Sequence, residues 1–411
     1  MTNIKFLTST LIFGTAFASH SDVDRVSQAY DRYFAYLLPG LTDSEKSMHL
    51  RRFRASIDHG DRNLDEVFIS TLPAIRQQTL EDVRRSPGRL WEASVDIERF
   101  ANATLSDARI QCGTILNSRR KSKLPVKEPQ SSDPIPESFD SRVKWPECSE
   151  YIGHALDQSN CGSCWSFSTT TALEDRLCIH TSGKYQTHLS PLDTLSCCNE
   201  ENGCESFGCN GGDPASAWEW FVSEGVVTGG EYGDDSTCKP YAFPKCAHHV
   251  NSPGLEPCSS GKEYETPTCL RECSNTAYKQ ASYSHDKHKS VEAYSVPNHE
   301  QAIKTEIMTN GPVSAAFMVY EDFLTYKGGI YHHITGSSVG GHAVKLIGWG
   351  KDDTTGTKYW LLVNSWNPSW GEGGLFRMAI HEGGIMDEIT AGVIKPTTNN
   401  EEDFGVHLET Q

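Results

Sequence analysis

Apolar and polar positions alternate with different periods along the chain, and the period marks the elements. Residues 6–17 form a short, mostly apolar run behind Lys5. Residues 20–118 are polar and helix-prone. Thr42 followed by Glu45 has the pattern of a helix N-terminus, and Thr79-Leu80-Glu81-Asp82 opens another short helix. After Cys164, the residues Trp165, Ala172, Leu173 and Leu177 fall at i, i+7, i+8 and i+12. That spacing predicts a helix with one apolar stripe, stopping near Gly183. Residues 313–320, 342–349, 359–364 and 374–380 read as strands. A helical, cysteine-dense half followed by a strand-rich half predicts an α+β fold with two lobes and a cleft between them.

Composition then restricts the function. The 411 residues carry a net charge of −17, with 37% hydrophobic positions. A packed core is expected, and nucleic acid is excluded as a partner because phosphate binding needs clustered Lys and Arg. The acidic balance suits an acidic compartment, where carboxylate protonation relieves self-repulsion. The apolar run at residues 6–17 is shorter than the roughly 20 residues that span a bilayer. It ends in Ala16-Phe17-Ala18, so residues 1–19 read as a signal peptide cut after Ala18 or Ser19. No other stretch approaches spanning length, so a soluble secretory-pathway protein without a membrane partner is expected. Asn102-Ala103-Thr104 is a glycosylation acceptor, with Asn102 as its site. Arg119, Arg120, Lys121 and Lys123 are followed by Pro125, Pro129, Pro134 and Pro136, a composition that makes an exposed, protease-sensitive linker. The expected organisation is therefore an accessory region at 20–134, a compact domain at 135–396 and an acidic tail at 397–411.

The fourteen cysteines point to an oxidising compartment. Cys112 precedes the linker, so cleavage there leaves 14 − 1 = 13, an odd number, and at least one thiol stays outside any intramolecular disulfide. Local sequence points to Cys164. It sits in the first turn of the predicted helix, where unpaired N–H groups and the helix dipole lower a thiol pKa. Cys161-Gly162-Ser163-Cys164 also has the spacing of a thiol–disulfide oxidoreductase, although nothing before Gln158 reads as the strand such a motif follows. A nucleophilic thiol needs a histidine and an orienting group. Gly340-Gly341-His342 opens one strand, and Asn364-Ser365-Trp366 closes the next. If Trp349 faces Tyr359, then Val344 faces Asn364, and His342 and Asn364 become diagonal neighbours roughly 7–8 Å apart. Gln158, six residues before Cys164, could donate to an oxyanion beside the Cys164 N–H.

Together these segments resemble the papain family of cysteine proteases and, within it, the cathepsin B group. The motifs are Gln158 to Phe167, Cys209-Asn210-Gly211-Gly212, Gly340 to Trp349 and Asn364-Ser365-Trp366, within a match over residues 76–395. The resemblance implies a helical lobe packed on a β-barrel-like lobe. It makes Cys164 the nucleophile, His342 its imidazolium partner, Asn364 the orienter and Gln158 the oxyanion donor, with Trp366 shielding the Asn–His bond. Gly211 and Gly212 would pair with substrate backbone. The implied disulfides are Cys148–Cys178, Cys161–Cys209, Cys197–Cys269, Cys198–Cys204, Cys238–Cys273 and Cys246–Cys258. Residues 238–273 would form an occluding loop in which His248 meets Asp157 and His249 binds a substrate C-terminus, giving carboxydipeptidase beside endopeptidase activity. Glu388 would let the second specificity pocket accept arginine.

Two features depart from the group. Gly254, Leu255 and Ser369 stand where an Arg–Asp pair would pin the loop, which implies a loop that opens more easily. Residues 20–75 have no counterpart in the shorter accessory segment of that group. The accessory region is expected to fold over the cleft and inhibit it until cleavage. No cofactor is expected, and a metal site on His248, His249, His285 and His288 lacks supporting spacing. Peptides and proteins are the expected substrates, and a monomer the expected mature state. The lysosome, a digestive vacuole and the extracellular space remain open. The competing classes are an inactive secreted homologue and the oxidoreductase.

Overall fold

The computed structural model describes residues 45–47, 49, 71–116, 124–246 and 264–394. The expected signal peptide at 1–19, most of residues 20–70, His248, His249, Cys258 and residues 397–411 lie outside them. Two compact units are delimited, residues 1–67 and 68–411. In the first, Glu45 to Ser47 and His49 are helical, while Thr42 is not among the described residues.

The second unit opens with α1 (Gln77–Arg85), β1 (Trp91–Ala93) and α2 (Leu105–Ile110). α1 begins two residues before the expected Thr79. Its N-cap is Arg76, in extended backbone with no side-chain cap, and the Arg76 guanidinium is held by Glu321. α2 has a capping box in which Thr104 and Asp107 each satisfy the other's backbone N–H. This occupies the hydroxyl of the Asn102 acceptor motif, while Asn102 itself is exposed.

β2 (Phe139–Asp140) precedes the central helix α3 (Cys164–His180), followed by α4 (Pro191–Cys197) and α5 (Pro214–Ser223). α3 is not the amphipathic helix expected from its stripe. Every residue from Cys164 to Ile179 is buried, because α4 and α5 pack on one side and strands on the other. Its polar residues are matched internally. Ser166 Oγ donates to the Pro191 carbonyl at 2.6 Å, Ser168 meets Ser314 at 2.8 Å, and Arg176 bonds Glu306, Gly311, Pro312 and Gly392. Disulfides Cys148–Cys178, Cys161–Cys209, Cys197–Cys269, Cys198–Cys204 and Cys238–Cys273 staple this lobe. Cys246 is also disulfide-bonded, and its expected partner Cys258 falls outside the described residues.

The other lobe holds β3 (Glu292–Ser295), α6 (Glu300–Asn310), β4 (Val313–Tyr320), β5 (Tyr326–Tyr331), β6 (Ser338–Lys351), β7 (Lys358–Val363), β8 (Leu375–Ala379) and β9 (Glu388–Val393). Among the described residues the strand order is β1-β5-β8-β7-β6-β4-β9-β3, with β2 paired to β6. The sheet therefore does not close, which corrects the barrel-like expectation. Its two end strands are β1 and β3. Chain from before residue 135 supplies β1 itself and also covers β3, through Lys127 N to Ser295 O and Ser295 N to Pro125 O, both 2.9 Å. Phe323 sits among Phe317, Tyr331, Trp370 and Phe376 in an aromatic core with centroid separations of 4.7–5.4 Å.

The assumed β6–β7 register is off by one beside the turn, where Trp349 faces Trp360 and not Tyr359. A bulge between Leu346 and Gly348 then absorbs one residue, so that Lys345 faces Val363. That restores the alignment expected at the end of β7, next to Asn364.

Candidate active site

Cys164 is the first residue of α3. Its N-cap, Ser163, makes no side-chain cap and instead meets the Tyr241 hydroxyl at 2.8 Å. The first-turn N–H groups thus point at whatever lies beside the thiol. Ala343, the residue after His342, donates its backbone N–H toward the sulfur. This places the start of the β6 motif against Cys164. Cys161, the other half of the C-x-x-C pair, is committed to Cys209, while Cys164 is free.

His342 and Asn364 meet as Nε2···Oδ1 at 2.7 Å. Asn364 Oδ1 also accepts the Ser365 N–H at 2.8 Å, which fixes it as the carbonyl end of the amide. An oxygen can only accept, so Nε2 carries the ring proton and Nδ1 is left as the basic nitrogen. Nδ1 has no hydrogen bond of good geometry among the described residues, with the Gln111 carbonyl nearby. The fully buried Trp366 ring lies 4.7 Å from the imidazole and excludes water from the Asn–His bond.

Gln158 is fully buried. Ser365 donates its Oγ proton to Gln158 Oε1 at 2.8 Å and accepts the Gln158 N–H at its carbonyl at 2.9 Å. The Gln158 amide nitrogen is thereby turned away from Ser365. It donates to the Cys161 carbonyl at 2.7 Å and to the Gln111 carbonyl at 3.2 Å.

Residues 111–115 lie along this constellation. Thr114 Oγ1 is 3.1 Å from Cys164 Sγ. Gly113 and Thr114 run parallel to Gly341 and Gly212, through Thr114 N to Gly341 O (3.0 Å), Gly212 N to Gly113 O (2.9 Å) and Ile115 N to Gly212 O (3.0 Å). A Cβ on Gly212 would lie 2.4 Å from the Trp165 ring, and one on Gly341 would lie 2.2 Å from the Thr114 carbonyl. Glycine at 341 is what lets a second backbone approach this closely, whereas glycine at 212 makes room for the Trp165 ring. Gly211, at φ +111°, turns the chain into this edge.

Burial sets the electrostatics. The Cys164 thiol is raised above its ordinary value by desolvation, only partly offset by Thr114 and by the Ala343, Gly113 and Trp165 N–H groups. His342 is pushed down to about 4, again by desolvation first, against the upward pull of Asn364. Both groups are therefore uncharged here. The lowered thiol pKa expected from the helix terminus is overridden in this covered state, because losing water costs the thiolate more than the dipole returns. Cys112 is likewise raised by burial and by the neighbouring Cys164.

The remaining residues singled out in the sequence have separate surroundings. Glu388 is half-buried at the start of β9, opposite Ala316. Asp157 holds Arg99, and its expected partner His248 lies outside the described residues. His285 bonds Ser282 at 2.7 Å, and His288 is buried with its ring 4.9 Å from Tyr185. No cluster of three potential metal ligands occurs among the described residues.

Comparison with known proteins identifies the framework. The sequence model of Peptidase_C1, papain family cysteine protease, matches residues 135–393. The chain is a papain-family cysteine protease. It is 44% identical over 340 residues to a cathepsin B-like cysteine proteinase of Schistosoma japonicum, covering 80% of this chain and 95% of that protein. It is 49% identical over 263 residues to cathepsin B-like cysteine proteinase 6 of Caenorhabditis elegans, covering 64% and 67% respectively. The structure of proCathepsin B S9 from Trypanosoma congolense superposes with a TM-score of 0.67 at 31% identity, over 79% of this chain and all of that one. Procathepsin L 3 of Tenebrio molitor, at 19% identity and TM-score 0.54, shares the fold. The protease is thus cathepsin B-like.

Several residues of this protease were invisible to motif reasoning. Ser365 lies inside the Asn-Ser-Trp signal, but its bond to Gln158 crosses 207 residues. Tyr241 donates to the Gln158 carbonyl at 2.9 Å from a stretch without a pattern of its own. Gln111 and Thr114 lie in the segment Gln111-Cys112-Gly113-Thr114, which resembles the accessory segment of the cathepsin B group, whereas nothing local marks Arg99 as facing a cleft.

Proposed function

We propose that the processed protease hydrolyses peptide bonds through Cys164 and His342, acting as endopeptidase and carboxydipeptidase in an acidic secretory or lysosomal compartment. The observation that carries this reading is the free thiol at the start of α3, met by the backbone N–H of Ala343, the residue that follows His342, whose tautomer is set by Asn364. Residues 20–134 are the inhibitory pro-segment, and residues 111–115 are the part of it that lies along the cleft. With Gln111 and Thr114 gone, water returns to the dyad, and the helix terminus favours thiolate over thiol. The Cys164 proton passes to His342 Nδ1. The sulfur attacks the scissile carbonyl, and the oxyanion is bound by Gln158 Nε2 and the Cys164 N–H. His342 returns the proton to the leaving amine. A water molecule, deprotonated by the same nitrogen, cleaves the thioester and regenerates the thiol.

Gly212 pairs with the backbone of the acyl portion, and Glu388 tunes the pocket beyond it. His248 and His249 supply the carboxydipeptidase function by holding a substrate C-terminus, with His248 resting on Asp157 after processing. The absence of the Arg–Asp pair at Gly254, Leu255 and Ser369 tilts the balance toward endopeptidase activity. The active form is a monomer beginning near Ile135.

The test is labelling of the processed protein with a peptidyl epoxide or fluoromethyl ketone at pH 5.5. The expected adduct is on Cys164, and Cys164→Ala should abolish both labelling and dipeptide release. Activity persisting in that variant, or labelling at another residue, contradicts the reading. N-terminal sequencing of the active form locates the cleavage.

A further inference from the structure

Arg99 of the accessory segment is almost fully buried, with only 3% of its surface exposed. Its Nη1 donates to Asp157 Oδ1 at 3.1 Å, and its Nη2 donates to the Ser159 carbonyl at 3.0 Å and to Gln111 Oε1 at 2.7 Å. Two of these three acceptors, Asp157 and Ser159, belong to the protease domain. That part of the seat is built by the domain itself. Asp157 Oδ1 also accepts the Ser159 N–H at 2.8 Å, and Oδ2 accepts Asn367 Nδ2 at 3.1 Å. Asp157 further bridges Trp366 through its backbone. Ser159 is held at φ +56°, a conformation a non-glycine residue adopts at a cost, and its carbonyl faces the guanidinium. Nothing in this geometry requires the accessory segment to persist after Arg99 leaves.

The position of the seat along the cleft follows from the path of the segment. Arg99 lies at Asp157, Gln111 at Gln158, Thr114 at Cys164 and Ile115 at Gly212. Asp157 and Gly212 therefore flank the reacting atoms from opposite ends. Beside Arg99, Phe100 packs edge-on against Trp366 at 5.1 Å, so an apolar wall adjoins the carboxylate.

We infer that Asp157 and the Ser159 carbonyl form a guanidinium-accepting subsite at the leaving-group end of the cleft, so that the processed protease prefers arginine in the portion of substrate released as the amine product. Arg99 is the occupant in the precursor, and a substrate arginine takes its place after processing. The inference rests on the peptidase reading above, and within it a substrate guanidinium competes with the imidazole that the carboxydipeptidase role places on the same carboxylate. The physical reason for preference is the planar fork of donors, which matches one carboxylate oxygen and one carbonyl at once, in a site where a buried carboxylate gains from a paired cation.

The experiment uses internally quenched peptides with one acyl-side sequence and either arginine or citrulline at each of the first three leaving-group positions. Citrulline keeps the shape and removes the charge. The expected result is a kcat/KM ratio for arginine over citrulline of about tenfold or more at one position, falling to near one in Asp157→Asn. Because the ratio is taken within each enzyme, a general loss of activity in the variant does not affect it. A ratio near one at every position in the unaltered enzyme overturns the subsite whether or not the variant folds, and so does a ratio that survives Asp157→Asn. Cleavage of neither peptide removes the peptidase reading and the subsite together, whereas cleavage without preference removes the subsite alone.

Discussion

Trp91→Ala in an uncleavable precursor isolates the energy that keeps the cleft covered. Trp91 is 2% exposed and stands on β1, the strand that docks the accessory segment on β5. Its ring lies 6.1 Å from Tyr326 and 5.2 Å from Tyr331, and its Nε1 donates to the His332 carbonyl at 3.0 Å. Truncating a buried tryptophan costs about 3–5 kcal/mol, which includes the lost aromatic contacts and the carbonyl left without its donor. In the opened state the same side chain faces water, so most of that cost falls on the closed state. At about 1.4 kcal/mol per decade, the opening equilibrium rises about 10²–10³-fold. The assay is the rate at which a small alkylating reagent modifies Cys164, followed by mass spectrometry at fixed pH. When closing is faster than modification, that rate is the opening constant multiplied by the intrinsic reactivity of the thiol. Trp91 is absent from the processed enzyme, so the intrinsic rate is the same for both proteins and can be measured directly. An acceleration below about tenfold would show that β1 is not what holds the segment, and the energetic reasoning would be wrong.

Gln158→Ala should lower kcat of the processed enzyme by about 10²–10³-fold with little change in KM, because its amide is aimed by Ser365 at developing charge and not at bound substrate. A loss confined to KM would place Gln158 in ground-state binding instead. The buried neutral His342 makes precursor stability pH-dependent. Its folded pKa of about 4 lies below the unfolded value of 6.5, so the unfolded chain takes up the proton first. Stability is full above pH 6.5 and declines toward pH 4, by about 1.4 kcal/mol per unit and about 3 kcal/mol in total. Urea unfolding at pH 7, 5.5 and 4.5 in a Cys164→Ala background should show that His342→Gln removes this part of the slope. Equal slopes for the two proteins would contradict it.

Much of the site could be read without coordinates because its chemistry is carried by short segments. Cys164 at a helix start, the Gly-Gly-His and Asn-Ser-Trp strand ends, and Gln158 six residues before the thiol are local patterns, and local patterns reflect local backbone requirements. The positions of β4, β6, β7 and β8 were legible to within a few residues for the same reason, since burial on a sheet imposes its own period. Register was not. The assumed pairing failed beside the turn, and only the bulge at Ile347, which leaves no mark in composition, returned His342 to Asn364.

The sequence by itself determined which side chains could do the chemistry, and through cysteine parity that cleavage after Cys112 leaves at least one thiol outside any intramolecular disulfide. Only the tertiary structure decided their state. α3 is buried all round and not along a stripe, because partners distant in sequence close on every face. Accessory chain covers one end strand of the open sheet and supplies the other, a pairing between segments far apart in sequence. Burial holds Cys164 and His342 toward their uncharged forms, because it removes the water that a helix terminus alone would leave in place. Arg99 reaches Asp157 across 58 residues. Such contacts depend on the whole chain having folded around them, and no local pattern in sequence records that dependence.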